Sequence, residues 1–179
     1  MIYTTSMQSP VGTLVLAARD DALIGLWIQG QKYFPVSFQE PVTEQAAYPV
    51  LRSAAGWIDR YFAGQRPSIS ELKLSPSGTP FQKAVWNALC DIPYGELTTY
   101  GALSHKVAAV LGKPRMSAQA VGGAVGHNAI SIVIPCHRVV GAGGSLTGYA
   151  GGIDKKIKLL QHEGAYRAGL FPPLSSTAP

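Results

Sequence analysis

Three consecutive residues, Cys136, His137 and Arg138, are the strongest candidates for chemistry in this chain. A cysteine reacts as its thiolate, and a neighbouring imidazole lowers the thiol pKa from its reference value of about 8.5 by taking the proton or supplying positive charge. The β-branched run before them, residues 132–134, ends at Pro135 and predicts a short buried strand. Cys136 would then lie at the mouth of a rigid element, where a nucleophile should be held.

The same pattern has a purely structural interpretation. A cysteine that follows an apolar run is often a small buried hydrophobic residue, so the spacing alone leaves both interpretations of Cys136 open. Cys90 has no basic neighbours, and we interpret it as part of the core.

Composition limits the class of protein. The chain has 179 residues, 46% of them hydrophobic, which is enough for one domain or two small ones. Its two cysteines are far apart and its four histidines are scattered, so we expect neither a disulfide framework nor a metal site. No apolar stretch approaches the length of a membrane span, and the first residues lack the features of a signal peptide, so we expect a cytoplasmic protein. The net charge of +5 is a modest indication of an acidic partner.

The elements that must position the cysteine can be read along the chain. Residues 1–40 alternate with period two between turns and predict an antiparallel meander. Apolar residues recur at helical spacing over residues 49–63, and Gly64 is placed to end that helix. The sequence therefore predicts an α+β protein with an amino-terminal α/β domain over residues 1–75, a second domain over residues 76–165 and a loose tail over residues 166–179.

Three capped helices are predicted in the second domain. Thr79 and Gln82 form a capping box, with proline at the first helical position. Another helix starts at Tyr100, and a third covers residues 118–125. The second and third are joined by a Gly-Pro turn and resemble a helix-turn-helix, whose second helix meets DNA.

The third helix reads Ala-Gln-Ala-Val-Gly-Gly-Ala-Val. Gly122 and Gly123 each cost about 1 kcal/mol relative to alanine in a helix interior, so close approach of a partner is expected. An ordinary helix is about 10–12 Å across and the minor groove of DNA is only about 6 Å wide. A helix of small residues therefore fits the minor groove better than one with bulky side chains. Tight packing on a neighbouring helix explains the pattern equally well.

Residues 141–152 form a loop with six glycines. The loop lacks the lysine pattern of a phosphate-binding loop, and it better fits a wall that recognises a planar ligand through its backbone. A last helix, capped by Asp154, ends at Glu163.

Taken together, the motifs of residues 79–164 resemble the O6-alkylguanine-DNA alkyltransferases. The resemblance covers roughly half of the chain in order, and the Pro-Cys-His-Arg-Val motif is highly specific. Residues 1–75 resemble only the general layout of the family's ribonuclease-H-like domain. The motifs that carry the resemblance are Thr79-Pro80-Phe81-Gln82, Ile92-Pro93-Tyr94-Gly95-Glu96, Tyr100-Gly101, Ala120-Val121-Gly122-Gly123-Ala124, Asn128, Ile134-Pro135-Cys136-His137-Arg138-Val139, Gly148-Tyr149-Ala150-Gly151-Gly152 and Glu163-Gly164.

The resemblance implies roles for five catalytic residues. Cys136 is the alkyl acceptor, and His137, bridged to Glu163 through a water in the family, holds the thiolate. This requires a turn after Pro135, because adjacent side chains of an extended strand point to opposite faces. Tyr100 supports rotation of the target phosphate and donates towards guanine N3. Asn128 ties the recognition helix to the active-site turn.

It also implies substrate contacts. The carbonyls of Cys136 and Val139 accept from the exocyclic amine of guanine, while the Tyr149 ring and the Ala150 N–H line the pocket. The small residues Ala120, Gly122 and Gly123 face the groove. Arg138 adjoins these candidate substrate-binding residues, although we expect it to form a buried ion pair rather than to touch substrate.

Two departures from the family pattern stand out. Gln119 occupies the position of the arginine finger that fills the gap left by the flipped base, and it lacks the charge; Arg115 in the preceding turn is a candidate substitute. Ala150 stands where some members carry serine, which should matter little because the expected contact is through the backbone.

The implied function is DNA repair by direct reversal of damage. The protein would flip O6-alkylguanine, with O4-alkylthymine as a second candidate lesion, out of double-stranded DNA and transfer the alkyl group irreversibly to Cys136. It would act once, as a monomer bound in the minor groove, with no cofactor and no membrane partner. The alternatives are a non-catalytic lesion binder, a cysteine hydrolase and a transcription factor that reads the major groove.

Overall fold

The computed structural model describes residues 1–172, and they form two compact units. The amino-terminal unit contains Met1–Ser77 together with Ala129–Val133, and the carboxy-terminal unit contains Gly78–Asn128 and residues 134–172. The segment 129–133 is a departure from the sequence-based boundaries, which assign it to the second domain. It belongs to the first unit because backbone hydrogen bonds join Leu26 to Ala129 and to Ser131.

The amino-terminal unit is built on a four-stranded sheet. The predicted antiparallel meander is confirmed, and a short edge strand, which the sequence does not predict, pairs with the first strand in parallel. In the order β3-β2-β1-β4, the strands are β1 (Ile2–Ser9), β2 (Gly12–Arg19), β3 (Ala22–Ile28) and β4 (Val42–Glu44).

The predicted helix after the sheet is also confirmed. Helix α1 (Pro49–Phe62) buries Leu51, Ala54 and Ile58, whose spacing places them on one face. This face packs on strands β1 to β3, so the unit has its own apolar core.

The carboxy-terminal unit is mostly helical. Side chains of Thr79, Thr99 and Ser117 accept hydrogen bonds from the backbone at the starts of three helices, and Thr79 forms the predicted capping box with Gln82. A short parallel pair joins β5 (Thr98–Thr99) to β6 (Val139–Val140). The helices are α2 (Pro80–Cys90), α3 (Tyr100–Val110), α4 (Ala118–Gly126) and α5 (Ile153–His162). An α+β protein is thereby confirmed.

The predicted start of α5 is wrong by two residues. Gly152, with φ 99° and ψ 151°, is the N-cap, and Asp154 lies inside the first turn. An acidic residue there is favourable because the first turn carries the positive end of the helix dipole.

The apolar run before Cys136 is buried but is not a strand. Residues 131–134 lie in turns, and Val133 N donates to Ser131 O at 2.8 Å across Ile132, which has φ 71°. A three-residue turn with positive φ is rare and strained, especially for a β-branched residue. The strand prediction fails here because a run of buried β-branched side chains does not distinguish a sheet from a packed turn.

The prediction of a loose tail is wrong for residues 166–172. The backbone of Phe171 donates to Gly144 O and accepts from Leu146 N, and Ala165 and Leu170 join an apolar cluster with Leu146. These contacts pin the segment over the glycine-rich loop, a result that its Pro- and Ser-rich composition does not indicate. Residues 173–179 of the predicted tail lie outside the described residues.

A pair of glycines in that loop tests the contact. Gly143 and Gly144 both have positive φ, but a Cβ at Gly144 would overlap the Gly169 carbonyl oxygen, whereas a Cβ at Gly143 meets nothing within 4 Å. We expect Gly144→Ala to lower the free energy of unfolding by about 2–4 kcal/mol, and Gly143→Ala by about 1 kcal/mol from backbone strain alone. Urea denaturation measures both, and equal losses would contradict the packing of Gly169 on the loop.

Candidate active site

A tight turn presents Cys136. Cys136 N donates to Ile134 O at 2.8 Å across Pro135, which has φ −82° and ψ 63°, the geometry of an inverse γ-turn. A single 3-10 turn, Cys136–Arg138, follows and continues into β6. The turn expected after Pro135 is therefore present, and Cys136 is 6% exposed.

A buried network of three charged or polar side chains lies behind the cysteine. Glu163, at the carboxyl end of α5, lies with Oε1 2.6 Å from His137 Nε2. Arg138 donates from Nε to Glu163 Oε2 at 2.8 Å, from Nη2 to Glu163 Oε1 at 3.0 Å and from Nη1 to the Ile92 carbonyl at 2.6 Å. The His137–Glu163 contact is direct, which corrects the expected water bridge. Arg138 is in the expected buried ion pair, and the three hydrogen bonds that it donates are all buried.

The network fixes the protonation states. Burial raises the pKa of Glu163, but the hydrogen bond from His137 and the hydrogen bonds and charge of Arg138 outweigh it and hold this pKa well below its usual range. Burial lowers the pKa of His137, so the imidazole is neutral although Glu163 favours its charged form. Neutral His137 then donates from Nε2, and Nδ1 is left as an acceptor. Among the described residues, this buried Nδ1 has no hydrogen-bond partner.

The resting state of Cys136 differs from the sequence-based expectation. Burial raises the pKa of its thiol, and this outweighs the hydrogen bond from the Asn128 side chain, the charge of Lys156 and nearby backbone N–H groups, which lower it. The prediction that a basic neighbour lowers this pKa is wrong for the free protein. Cys136 is therefore a protected thiol, and deprotonation requires a proton acceptor at the moment of reaction.

Asn128 connects α4 to the active-site turn. It follows the helix directly, and its Nδ2 donates to Ile134 O at 2.8 Å, one residue before Pro135. Asn128 therefore touches both the turn and the thiol that the turn presents.

Tyr100 begins α3 and reaches the glycine-rich loop. Its hydroxyl donates to Thr147 O at 2.9 Å, and burial, followed by the charge of Cys136, raises its pKa. At neutral pH Tyr100 is therefore a hydrogen-bond donor and not a base. In the free protein the Tyr100 hydroxyl donates its proton to the carbonyl of Thr147 in the loop.

Three further predicted residues surround the thiol or the loop. Tyr149 is buried, its hydroxyl has no partner among the described residues, and burial and the charge of Cys136 raise its pKa. Val139 is buried in β6, and Ala150 is half-buried in the loop.

Sequence reasoning misses one residue of the site. Lys156 is completely buried, and its Nζ donates to Val139 O at 2.6 Å and to Thr147 O at 3.0 Å. The sequence does carry a signal, because Lys156 shares a helix face with the apolar Leu159 and Leu160 at spacings of three and four.

The predicted DNA-contacting residues lie on the outer part of the helix pair. Arg115, Gln119 and Ala120 are exposed, and Gly122 and Gly123 are half-buried. A Cβ at Gly122 would meet the Tyr100 ring at an ordinary 3.6 Å, and a Cβ at Gly123 would meet nothing within 4 Å. Packing between helices therefore does not require a glycine at position 123 in the part of the chain that the structure describes.

Fold and site together define a class of protein: a two-unit α+β protein in which a mostly helical unit carries a buried cysteine backed by His, Glu and Arg. No group of three or more His, Cys, Asp or Glu side chains within residues 1–172 is arranged to hold a metal ion. No helix among those residues is both long and apolar enough to cross a membrane.

Comparison with known proteins identifies the family. The models of the ribonuclease-like domain and of the DNA-binding domain of 6-O-methylguanine DNA methyltransferase match residues 2–76 and 80–165. This chain belongs to that family. Methylated-DNA--protein-cysteine methyltransferases of Methanosarcina acetivorans and Mycobacterium leprae are each 42% identical to it, over 92% and 91% of this chain and 99% and 93% of theirs. The crystal structure of Mycobacterium tuberculosis OGT in complex with DNA is similar with a TM-score of 0.79 and 40% identity, over 91% of this chain and 93% of that one.

Proposed function

We propose that this protein repairs DNA by moving the alkyl group of O6-alkylguanine from the base to the sulfur of Cys136. Alkyl transfer from DNA to a protein cysteine is the activity named for its curated relatives. The observation that carries the assignment to Cys136 is the unpartnered Nδ1 of the adjacent buried His137. This nitrogen can accept the proton of a thiol that is buried away from water. Among residues 1–172 no histidine is recorded as a partner of Cys90, and burial followed by the charge of Asp91 raises its pKa to about 11.

The reaction balances with residues already in place. The Cys136 thiol passes its proton to His137 Nδ1, and Glu163 stabilises the imidazolium that forms. The thiolate attacks the alkyl carbon, so that a C–S bond forms as the C–O6 bond breaks and its electron pair moves into the purine. The purine anion takes up one proton and the His137 imidazolium gives up the proton that it accepted, so that guanine, neutral His137 and the thioether remain. The thioether has no easy reversal, so each molecule reacts once and needs no cofactor.

A hydrogen-bond donor within the site can stabilise the negative charge on the departing purine. Tyr100 donates to guanine N3 once the base displaces its hydrogen bond to Thr147. The Thr147 carbonyl stays satisfied because Lys156 also donates to it.

Recognition of the base uses backbone groups beside the thiol. The carbonyls of Cys136 and Val139 accept from the exocyclic amine; Val139 O has a second lone pair beyond the one that Lys156 occupies. The Tyr149 ring lines the pocket, and the Ala150 N–H faces O6.

The buried sulfur of Cys136 reaches the alkyl carbon on O6 only if the nucleotide leaves the duplex. The open space above Gly123 and the small residues Ala120 and Gly122 support insertion of α4 into the minor groove. Gln119 then fills the gap left by the base and hydrogen-bonds the orphan cytosine, with Arg115 as the alternative. The protein acts as a monomer in the cytoplasm, and O4-alkylthymine is a second candidate lesion.

Intact-mass measurement after incubation with DNA that contains O6-methylguanine tests the function. We expect a gain of one methyl group per protein molecule, with no further turnover. Repeated turnover would indicate a hydrolase, while binding without a mass gain would indicate a lesion binder or a transcription factor, and either result would overturn the proposal.

The residue at position 119 gives a separate prediction. Gln119→Arg places a cation where the helix meets the groove, so we expect tighter binding to duplex DNA and a salt dependence steeper by about 0.9 in log Kd against log salt. Gln65→Arg adds the same charge at an exposed position of the amino-terminal unit and serves as the control. If the two variants bind alike in a salt titration, Gln119 does not contact DNA.

A further inference from the structure

The side-chain amide of Gln31 is a buried group that the proposed reaction does not use. Gln31 is 8% exposed and lies three residues after the end of β3. Its Oε1 accepts from the backbone N–H of Ile28 at 2.8 Å and from the hydroxyl of Ser131 at 3.3 Å. A buried oxygen that satisfies two donors is costly to remove, because both donors then lose their acceptor.

Strand β3 pairs with the segment that precedes the active-site cysteine. Leu26 N donates to Ala129 O at 2.9 Å, and Leu26 O accepts from Ser131 N at 2.8 Å. These are two consecutive bonds of a parallel ladder, and both lie within the amino-terminal unit. In a regular parallel ladder the next bond would run from Ile28 N to Ser131 O.

Both groups of that third bond have other partners. Ile28 N donates to Gln31 Oε1, and Ser131 O accepts from Val133 N at 2.8 Å. Gln31 thus takes the place that the Ser131 carbonyl would fill in a longer ladder. The carbonyl closes the turn at Ile132 instead, where φ is 71°.

The turn that results from this exchange is strained. A β-branched residue with positive φ persists only where the surrounding structure holds it. The hydrogen bonds of Leu26 and Gln31 hold the chain at the start of the turn. The next three residues form the second turn, in which Cys136 N donates to Ile134 O. Because the two turns are consecutive in the chain, the direction in which the chain leaves Val133 is passed on to Cys136.

We propose that Gln31 is a positioning residue for alkyl transfer, whose amide oxygen ends the parallel pairing of β3 and so frees the Ser131 carbonyl for the turn that leads to Cys136. The inference rests on the proposed function for its meaning, but the effect of Gln31 on the turn is independent of DNA. No atom of Gln31 is consumed in the reaction, which is the one written above.

Three variants separate the acceptor from the other properties of this side chain. Gln31→Glu keeps an oxygen that can accept both hydrogen bonds, whereas Gln31→Met keeps the length of the side chain and removes the acceptor. Both variants lose the amide N–H that donates to Lys32 O at 3.4 Å. Gln29→Met makes the same exchange at an exposed position two residues earlier and serves as the control.

The single-turnover rate of methyl transfer from DNA that contains O6-methylguanine, taken per folded molecule, is the first measurement. We expect Gln31→Met to lower this rate about tenfold, because a displaced nucleophile loses its alignment with the alkyl carbon. Gln31→Glu should retain most of the rate, and Gln29→Met should react like the unsubstituted protein. A folded Gln31→Met protein that reacts at the full rate, or an equal loss in Gln31→Glu and Gln31→Met, would overturn the proposal.

A second measurement follows the turn itself and needs neither DNA nor a substitution. NMR couplings across hydrogen bonds identify the acceptor of the Ile28 N–H in the unsubstituted protein. We expect a coupling to the side-chain carbonyl carbon of Gln31. A coupling to the backbone carbonyl carbon of Ser131 would show that the ladder continues, and it would overturn the proposal.

Amide hydrogen exchange links the two measurements. In Gln31→Met, exchange of the Val133 N–H should speed up about tenfold relative to that of the Leu26 N–H, since the Leu26 acceptor is unchanged. If the turn responds in this way but methylated DNA transfers nothing to any form of the protein, then the proposed function fails while the effect of Gln31 on the turn stands.

Discussion

Cys136→Ser abolishes alkyl transfer to the protein. A serine hydroxyl is far less acidic than a thiol, and neutral His137 cannot generate an alkoxide at neutral pH, so we expect the rate to fall by about a thousandfold or more. The measurement is the intact mass after incubation with DNA that contains O6-methylguanine, followed by peptide mapping of the methyl group.

Cys90 provides a matched control within the same unit. Cys90→Ser removes the other cysteine, which is half-buried and whose pKa is raised to about 11 by burial and by Asp91. We expect Cys90→Ser to react at the unmodified rate. If the Cys136→Ser protein still gains a methyl group, or if the methyl group maps to Cys90, then Cys136 is not the acceptor.

We expect Arg138→Met to lower the free energy of unfolding more than substitutions of exposed residues do. Arg138 makes two hydrogen bonds to Glu163 and one to the Ile92 carbonyl, all buried. Removing the guanidinium leaves the Glu163 carboxylate buried without its main counter-charge, and breaking a buried pair in this way costs about 3–5 kcal/mol. Urea denaturation at pH 7 measures the loss.

A double variant and the pH dependence separate charge from packing. Arg138→Met with Glu163→Gln removes both charges and should recover part of the lost stability, because no uncompensated carboxylate remains. The folded-state pKa of Glu163 lies below its unfolded value of 4.5, so its contribution is present above pH 4.5 and is lost as the pH falls towards the folded value. Glu163→Gln should therefore flatten the stability profile below pH 4.5. An unchanged acid profile and no recovery in the double variant would contradict the charge argument.

Much of the secondary structure follows from the sequence because its determinants are local. Capping boxes, helix periodicity and period-two strands depend on residues three or four positions apart or less, which explains the correct prediction of α1, the Thr79 cap and the meander. The Pro-Cys-His-Arg-Val motif, which carries the specific resemblance to the family, is local in the same sense. Both the family and the candidate nucleophile therefore follow from the order of the residues alone.

The failures have a common physical cause. The run before Cys136 is wrongly predicted as a strand because buried β-branched residues look alike in a strand and in a packed turn, and only the folded backbone, with its hydrogen bond from Val133 N to Ser131 O, decides between them. The segment after residue 165 is wrongly predicted as a tail as far as residue 172, because nothing local shows that Phe171 pairs with the loop at Gly144.

What the sequence determined by itself is the helices, the three-stranded meander, the family and the cysteine that is the candidate for chemistry. What only the tertiary structure decided is the electrostatic state of that cysteine: its burial, which raises its pKa, the direct contact of His137 with Glu163, and the buried ammonium of Lys156. The reason is that desolvation and charge pairing depend on which groups meet across long stretches of chain, and local spacing carries no information about those meetings.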